Sequence, residues 1–449
     1  MVSAPEIDLR NPRCFFPEQA HAFSKHFREA EERLKAQPSG QRGPGVLICA
    51  RSPIKVLAQI AACVTHQVPA FLGNPDWGST EWAQVNQCNA PSVPTFDGSS
   101  PSNPPHPRPA EKSIGKPPLT TDPIATLYIP TGGSSGKIKF AAHTVESLRS
   151  AAQALSHFFD DQPIHSWSHL PTYHVSGLMP WIRALVSEGK VIYSEESPKL
   201  AQFPKAGLKT TSIVGTQLAR ILIGSQKSYW GDYDAIFIGG SPVGRQLLED
   251  ARKNGLPLAP CYGSTETAAM ITCLKPQEFL QGRINAGKPL PHAQVSIDPT
   301  KRIQVAAPSL FKGYWNEPVS KNHDNYTSDD LGSIDEAGYL EIHGRADRIL
   351  ISGGEKIDPS QVEGTIQSIA GVADTFVVGE AHPEWGQQIV CIIKMDDSDL
   401  SIPVLKEKLK AKLTSFKIPK KWILVDTMPY TVQGKRDSAQ ISTLLKTHA

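Results

Sequence analysis

Short apolar runs along this chain alternate with stretches whose apolar positions recur at helical spacing. Val46-Leu47-Ile48-Cys49 is the first such run, and residues 52–65 follow with Val56, Ile60 and Cys63 on one helical face. The runs at 125–129, 234–240 and 256–262 predict further buried strands. Residues 244–254 predict a helix between the last two, closed by Gly255 as the left-handed residue past its end. Another helix begins after residue 143, where Thr144 predicts an N-cap and Glu146 or Ser147 supports the first turn. Alternation of this kind predicts parallel sheets covered by helices, a large α/β domain. Ligands bind such sheets beyond the carboxyl ends of the strands. Toward the C-terminus the order changes. Helices at 361–369 and 402–413 and strands at 375–378 and 388–393 predict a small α+β unit. Residues 94–118, rich in Pro, Ser and Gly, predict a long surface connection within the large domain. No internal repeat stands out.

Composition narrows the class. At 449 residues the chain exceeds one ordinary core, so two or more domains are expected. A net charge of +2 gives no reason to expect a nucleic-acid partner. No apolar run approaches the roughly 18 residues of a membrane span. The first residues lack a basic stretch followed by an apolar one, so no signal peptide is expected. The seven cysteines are scattered and form no CxxC, which fits reduced thiols in a cytoplasmic setting and argues against a structural zinc site.

Candidate chemistry starts at Thr131-Gly132-Gly133-Ser134-Ser135-Gly136-Lys137-Ile138-Lys139. Small residues let backbone N–H groups approach an anion, while hydroxyls and ammonium groups add charge-assisted bonds. The sequence predicts a phosphate-cradling loop between a strand and a helix; taken alone, a Gly/Ser loop also reads as a surface turn. It is not a Walker A loop, because Thr131 and Ile138 stand where Gly and Ser/Thr are needed. Four more segments follow in order. They are Cys261-Tyr262-Gly263-Ser264-Thr265-Glu266-Thr267, then Tyr326-Thr327-Ser328-Asp329-Asp330-Leu331-Gly332, then 344–357 with Gly344-Arg345-Ala346-Asp347-Arg348, and last Pro429-Tyr430-Thr431-Val432-Gln433-Gly434-Lys435.

In this order the segments resemble the adenylate-forming superfamily of acyl-CoA synthetases, peptide-synthetase adenylation domains and luciferases. The resemblance runs from the phosphate loop to the C-terminus, and more loosely back to Val46. It implies a large domain over 1–346 and a small, mobile C-terminal domain over 347–449, with Asp347 as the hinge. It implies a two-step reaction, in which a carboxylate forms an acyl adenylate with ATP and Mg²⁺, and a thiol, usually coenzyme A, then displaces AMP. The resemblance assigns Thr131, Gly132, Gly133, Ser134, Ser135, Gly136 and Lys139 to the phosphates. Gly240, Ser241, Tyr262, Gly263 and Ser264 fall beside the nucleotide. Thr265 contacts the α-phosphate or the substrate carboxylate, and Glu266 takes Mg²⁺, a hard cation that prefers oxygen. Read without the resemblance, Glu266 is an exposed acid in the first turn of a following helix, and Gly239-Gly240-Ser241 is an ordinary βα turn. Asp330 and Arg345 match the ribose-binding pair; Asp329 leaves a one-residue ambiguity that Leu331-Gly332 resolves toward Asp330. Lys435 matches the catalytic lysine of adenylation. Family members often carry Arg three residues further, where this chain has Ser438, with Arg436 nearer.

Leu170-Pro171-Thr172-Tyr173-His174-Val175-Ser176-Gly177, the short large domain and Ser352-Gly353-Gly354-Glu355 resemble the o-succinylbenzoate–CoA ligase branch, of menaquinone and phylloquinone biosynthesis. That implies a catalytic His174 between nucleotide and acyl pocket; otherwise it is a packed core histidine. A dicarboxylic aromatic substrate needs a cation in the pocket. Arg183, nine residues after His174, is the first candidate and Arg220 the second, with a surface helix position as the alternative for Arg183. Ser176, Gly177, Leu178 and Thr216 are expected around the aromatic ring. The implied partners are a small carboxylic acid, ATP and CoA, and a homo-oligomer stays open. Competing readings are an aryl or fatty acid–CoA ligase, a stand-alone enzyme loading a carrier thiol, and a non-catalytic binding protein. The last conflicts with Thr265, Glu266, Asp330, Arg345 and Lys435 occurring together.

Overall fold

The structure is a computed structural model that describes residues 7–36, 45–88, 127–132, 137–224, 227–315, 317, 325–396, 400–430 and 436–448. The expected 94–118 connection lies outside them. Local sequence signals set the first elements. Ser52 caps the helix Pro53–Thr65 by accepting from the Lys55 N–H, and Thr144 caps Val145–Phe158 by accepting from the Ser147 N–H. The helix Arg245–Lys253 stops as expected, with Gly255 at φ +69° and its N–H on the Arg252 carbonyl.

Strands Val46–Ile48, Ala70–Leu72, Leu127–Gly132 and Ile138–His143 form a first sheet in chain order. The first three are parallel and the last returns antiparallel. A second sheet places Val191–Tyr193, Ile164–Ser168, Leu208–Ile213, Ala235–Ile238 and Leu258–Ser264 side by side, all parallel. Ala269–Cys273 and Lys288–Pro289 extend it antiparallel at one edge. The helices Pro17–Ala36, Pro53–Thr65 and Val175–Val186 supply much of the main core, where Phe23, Leu57 and Trp181 are buried.

A third, antiparallel sheet holds Gln294–Ile297, Arg302–Ala306, Tyr326–Ile334 and Leu340–Arg345. Beyond it, Leu350–Ser352, Glu355–Ile357, Val372–His382, Gly386–Met395 and Lys421–Leu424 form a fourth sheet. Helices Pro359–Gln367 and Ile402–Lys410 pack on this sheet through Val362, Ile366, Leu405 and Leu409, so this unit buries a core of its own.

One expectation is corrected. The Gly/Ser loop joins two antiparallel strands, not a strand and a helix; Thr131 pairs with Lys139 and Gly132 with Ile138. Phe140, Ala141 and Ala142 are buried, so residues 138–143 extend as a strand before Thr144 starts the helix. The helix N-terminus therefore stands at the far end of that strand from the loop.

Candidate active site

Parallel alignment puts the carboxyl ends of Ile164–Ser168, Leu208–Ile213, Ala235–Ile238 and Leu258–Ser264 on one edge of the second sheet. The segments that leave those ends carry His174, Thr216, Gly240-Ser241 and Thr265-Glu266.

Glu266 lies in a 3-10 turn, Thr265–Thr267, and is only 6 % exposed. The exposed-acid reading fails because the chain passes directly into the strand Ala269–Cys273 and no helix follows. Ala268 and Ala269 take φ of +55° and +86°, a backbone that non-glycine residues adopt at a cost of about 1–3 kcal/mol each. The Thr267 hydroxyl holds this turn, accepting from the Ser264 N–H at 2.8 Å and reaching the Ala269 carbonyl at 2.6 Å. Gly263 must be glycine here, since a Cβ would meet the Ala269 carbonyl oxygen at 1.8 Å. Ser264 Oγ is buried and has no hydrogen-bond partner among the described residues.

Glu266 Oε1 accepts from the Tyr314 hydroxyl at 2.7 Å, and burial holds that phenol protonated by raising its pKa. Tyr314 bridges in antiparallel sense to Ala141 on the hairpin strand. Lys139 Nζ stands 4.7 Å from the centre of the Tyr314 ring and 2.8 Å from Glu317 Oε1. The hairpin of Leu127–Gly132 and Ile138–His143 and the Thr265-Glu266 turn thus converge on one tyrosine. A buried carboxylate is a hard oxygen donor of the kind that would hold a divalent cation beside a phosphate. No cluster of three or more His, Cys, Asp or Glu suited to a metal occurs among the described residues.

His143 ties the two segments together from behind. Its Nε2 donates to the Thr265 carbonyl at 2.7 Å, and Nδ1 lies 3.0 Å from the Ser147 hydroxyl. Burial lowers its pKa to about 4, so it is neutral in the fold. The unfolded chain takes up a proton near pH 6.5 that the folded chain refuses until near pH 4, so stability falls as pH falls through that window. The loss from this residue should reach about 2 kcal/mol by pH 5. Urea midpoints at pH 7 and pH 5 should therefore differ less for His143→Gln than for the native chain.

A second group surrounds Asp330. The Tyr262 hydroxyl donates to Asp330 Oδ2 at 2.7 Å, and Arg345 Nη1 lies 3.3 Å from Oδ1. Burial raises the Asp330 carboxyl, while Tyr262 and Arg345 act in the opposite direction. Arg345 forks onto Asp347 at 2.9 and 2.8 Å, and this bond raises its pKa further. Asp329 faces Arg302 at 3.3 Å and Arg345 at 3.6 Å and is more exposed, whereas Asp330 accepts from the Tyr262 hydroxyl. Tyr262 and Glu266 share one strand-and-turn, which joins both groups into one site.

The third group lies on the helix Val175–Val186, with His174 at its N-cap. Ser176 is exposed, whereas Leu178 is fully buried in the core with Ile60 and Trp181, so its side chain is not free to line a pocket. Gly177 is explained by packing. A Cβ there would meet the Pro171 carbonyl oxygen at 2.2 Å. Arg183 is 3 % exposed, which removes the surface-helix alternative, whereas Arg220 is exposed. Its guanidinium lies 5.4 Å from the Phe237 ring centre, its Nε has no hydrogen-bond partner, and it joins no ion pair among the described residues. Burial lowers its pKa to about 10, so it is charged at neutral pH. Thr216 lies on the helix Gly215–Ile223 beyond the strand Leu208–Ile213. Gly133, Ser134, Ser135, Gly136 and Lys435 lie outside the described residues.

Sequence reasoning missed Tyr314 and His143. The available signal for Tyr314 was the aromatic cluster Phe311-Lys312-Gly313-Tyr314-Trp315, which fits no periodic element.

Glycine- and hydroxyl-bearing turns at the carboxyl ends of parallel strands, with the buried Glu266 in one of them and the Asp330–Arg345 pair joined to the same strand through Tyr262, fit a nucleotide-binding α/β enzyme. The chain belongs to the AMP-binding enzyme family, which it matches over residues 42–315, with the family's C-terminal domain over 361–435. It is 32 % identical over 314 residues to a 2-succinylbenzoate–CoA ligase of Listeria innocua, covering 68 % of this chain and 67 % of that one. The fold matches o-succinylbenzoate CoA synthetase of Bacillus subtilis bound to its acyl-adenylate intermediate, with a TM-score of 0.77 at 21 % identity over 97 % of this chain and 98 % of that one. The ATP- and magnesium-bound form of the same enzyme gives 0.75 at 21 % identity, covering 97 % and 99 %.

Proposed function

We infer that this chain is an o-succinylbenzoate–CoA ligase of quinone biosynthesis. In the first step a carboxylate oxygen of o-succinylbenzoate bonds to the α-phosphorus of ATP and pyrophosphate leaves. In the second, the coenzyme A sulfur bonds to the acyl carbon, AMP leaves, and the thioester forms. Thr131–Gly136 and Lys139 hold the β- and γ-phosphates. Gly240, Ser241, Tyr262, Gly263 and Ser264 line the nucleotide, and Asp330 with Arg345 takes the ribose hydroxyls. Thr265 and Lys435 orient the reacting carboxylate and α-phosphate, and His174 separates nucleotide from acyl group. Glu266 would hold Mg²⁺, which when bound would neutralise phosphate charge. The domains divide as 1–346 and 347–449, with Asp347 as the hinge that lets the small domain serve each step in turn. All seven cysteines are free thiols, and no helix among the described residues is long and apolar enough to cross a membrane, which supports a cytoplasmic setting. A homo-oligomer is compatible with this reading.

The observation that carries the substrate is Arg183. Among the described residues the buried Arg183 joins no ion pair, and a second substrate carboxylate would offset the cost of its charge. The residue lies about 12 Å along the helix from Val175, and in this reading it takes the remote end of a dicarboxylic acid whose reacting end lies toward His174. In this reading Ser176 and Thr216 also belong to the acyl site. Arg183→Ala should raise KM for o-succinylbenzoate about 30- to 100-fold, the effect of removing one partner of a buried charge pair. KM for ATP should stay near its native value. Equal increases for both substrates would refute the pocket assignment.

A further inference from the structure

The residues on either side of segment 431–435, Tyr430 and Arg436, form an antiparallel bridge. Their side chains converge on one carboxylate, Asp374. The Tyr430 hydroxyl donates to Oδ2 at 2.7 Å. Arg436 donates to Oδ2 from Nη1 at 3.0 Å and to Oδ1 from Nη2 at 2.7 Å, a forked pair. Nη2 also reaches the Thr375 carbonyl at 2.8 Å. The Thr375 N–H at 2.7 Å and the Gln367 amide at 3.3 Å complete the set on Asp374 Oδ1. The guanidinium stacks 4.3 Å from the Tyr430 ring centre and 5.2 Å from that of Phe376.

Asp374 stands on the strand Val372–His382 and pairs with Lys394 of Gly386–Met395, just after a register shift that follows Val372. Both partners of the ion pair are about four-fifths buried, at 21 % and 19 % side-chain exposure, so water screens the pair little.

We propose that Asp374 is a positioning residue for adenylate formation, fixing both ends of segment 431–435 and so the origin of the Lys435 side chain. The proposal rests on the reading of Lys435 given above. A misplaced lysine loses transition-state contact more than ground-state binding, so the effect belongs in kcat.

The test is Asp374→Asn, with each half-reaction measured separately: pyrophosphate release with ATP, and thioester formation from preformed o-succinylbenzoyl-AMP and CoA. Adenylation kcat should fall about 10- to 30-fold with KM values little changed, while thioester formation stays within about twofold. Tyr430→Phe removes one arm, leaves the ion pair, and should give a smaller loss of the same kind. It carries the test if the asparagine variant fails to fold. Equal loss in both half-reactions would mark the cluster as structural only and overturn the proposal. Lys435→Ala is measured alongside. If it abolishes adenylation while Asp374→Asn and Tyr430→Phe leave it intact, positioning by Asp374 is refuted and the role of Lys435 stands. If Lys435→Ala leaves adenylation intact, the premise fails instead.

Discussion

Replacing Glu266 with glutamine should lower the rate of acyl-adenylate formation by about 100- to 1,000-fold, as expected when one preorganised charge-stabilising group is lost. The variant should fold normally. Glutamine keeps an oxygen for the Tyr314 hydroxyl, which donates at 2.7 Å, and the turn is held by Thr267 and the His143–Thr265 bond, which do not involve the carboxylate. Half-saturation by Mg²⁺ should move to higher concentration, because a neutral amide is a poorer ligand for a hard cation than a carboxylate. Pyrophosphate release against Mg²⁺ concentration measures both effects. An unchanged Mg²⁺ dependence with a lowered rate would assign Glu266 to holding the turn and not the metal.

Lys435→Ala should cut adenylation about 1,000-fold or more and leave thioester formation from preformed acyl adenylate near the native rate. In the proposed role, the ammonium would offset charge that grows between carboxylate and α-phosphorus only in the first step. Under the proposed hinge at Asp347, the second step would break the acyl–phosphate bond after the small domain has turned. Loss of both half-reactions alike would contradict the alternation of the two domains.

Much of this was legible because the decisive signals are local. Ser52, Thr144 and Gly255 mark helix ends by their own hydrogen bonds or backbone angle, and the apolar runs at 46–49 and 256–262 can only be buried strands. Residues 138–143 were not legible, because two lysines precede three small or apolar residues and the helix signal at Thr144 dominates the window. The helix Pro17–Ala36 escaped notice for a related reason: only Phe23, Ala30 and Leu34 among its residues are buried, too sparse a stripe to show in the sequence. The third sheet is built from long-range antiparallel pairs such as Asp330 with Arg345, which no local window contains. The same limit applied within the site. Order and type of residue marked Glu266 and Asp330, but Tyr314 reaches Glu266 across 48 residues of chain. The burial of Arg183 likewise depends on Phe237 in a strand contributed from elsewhere. Leu178 was misplaced because helical rotation, not sequence distance from His174, decides which side chains face the core.

The most direct test of the central claim is pyrophosphate release and thioester formation with ATP, Mg²⁺ and CoA across o-succinylbenzoate, benzoate and medium-chain fatty acids. The account predicts turnover with o-succinylbenzoate and its CoA thioester as product, with the monocarboxylic acids inert. Turnover with benzoate or fatty acids and none with o-succinylbenzoate would contradict it, and would leave the buried Arg183 without the carboxylate assigned to it.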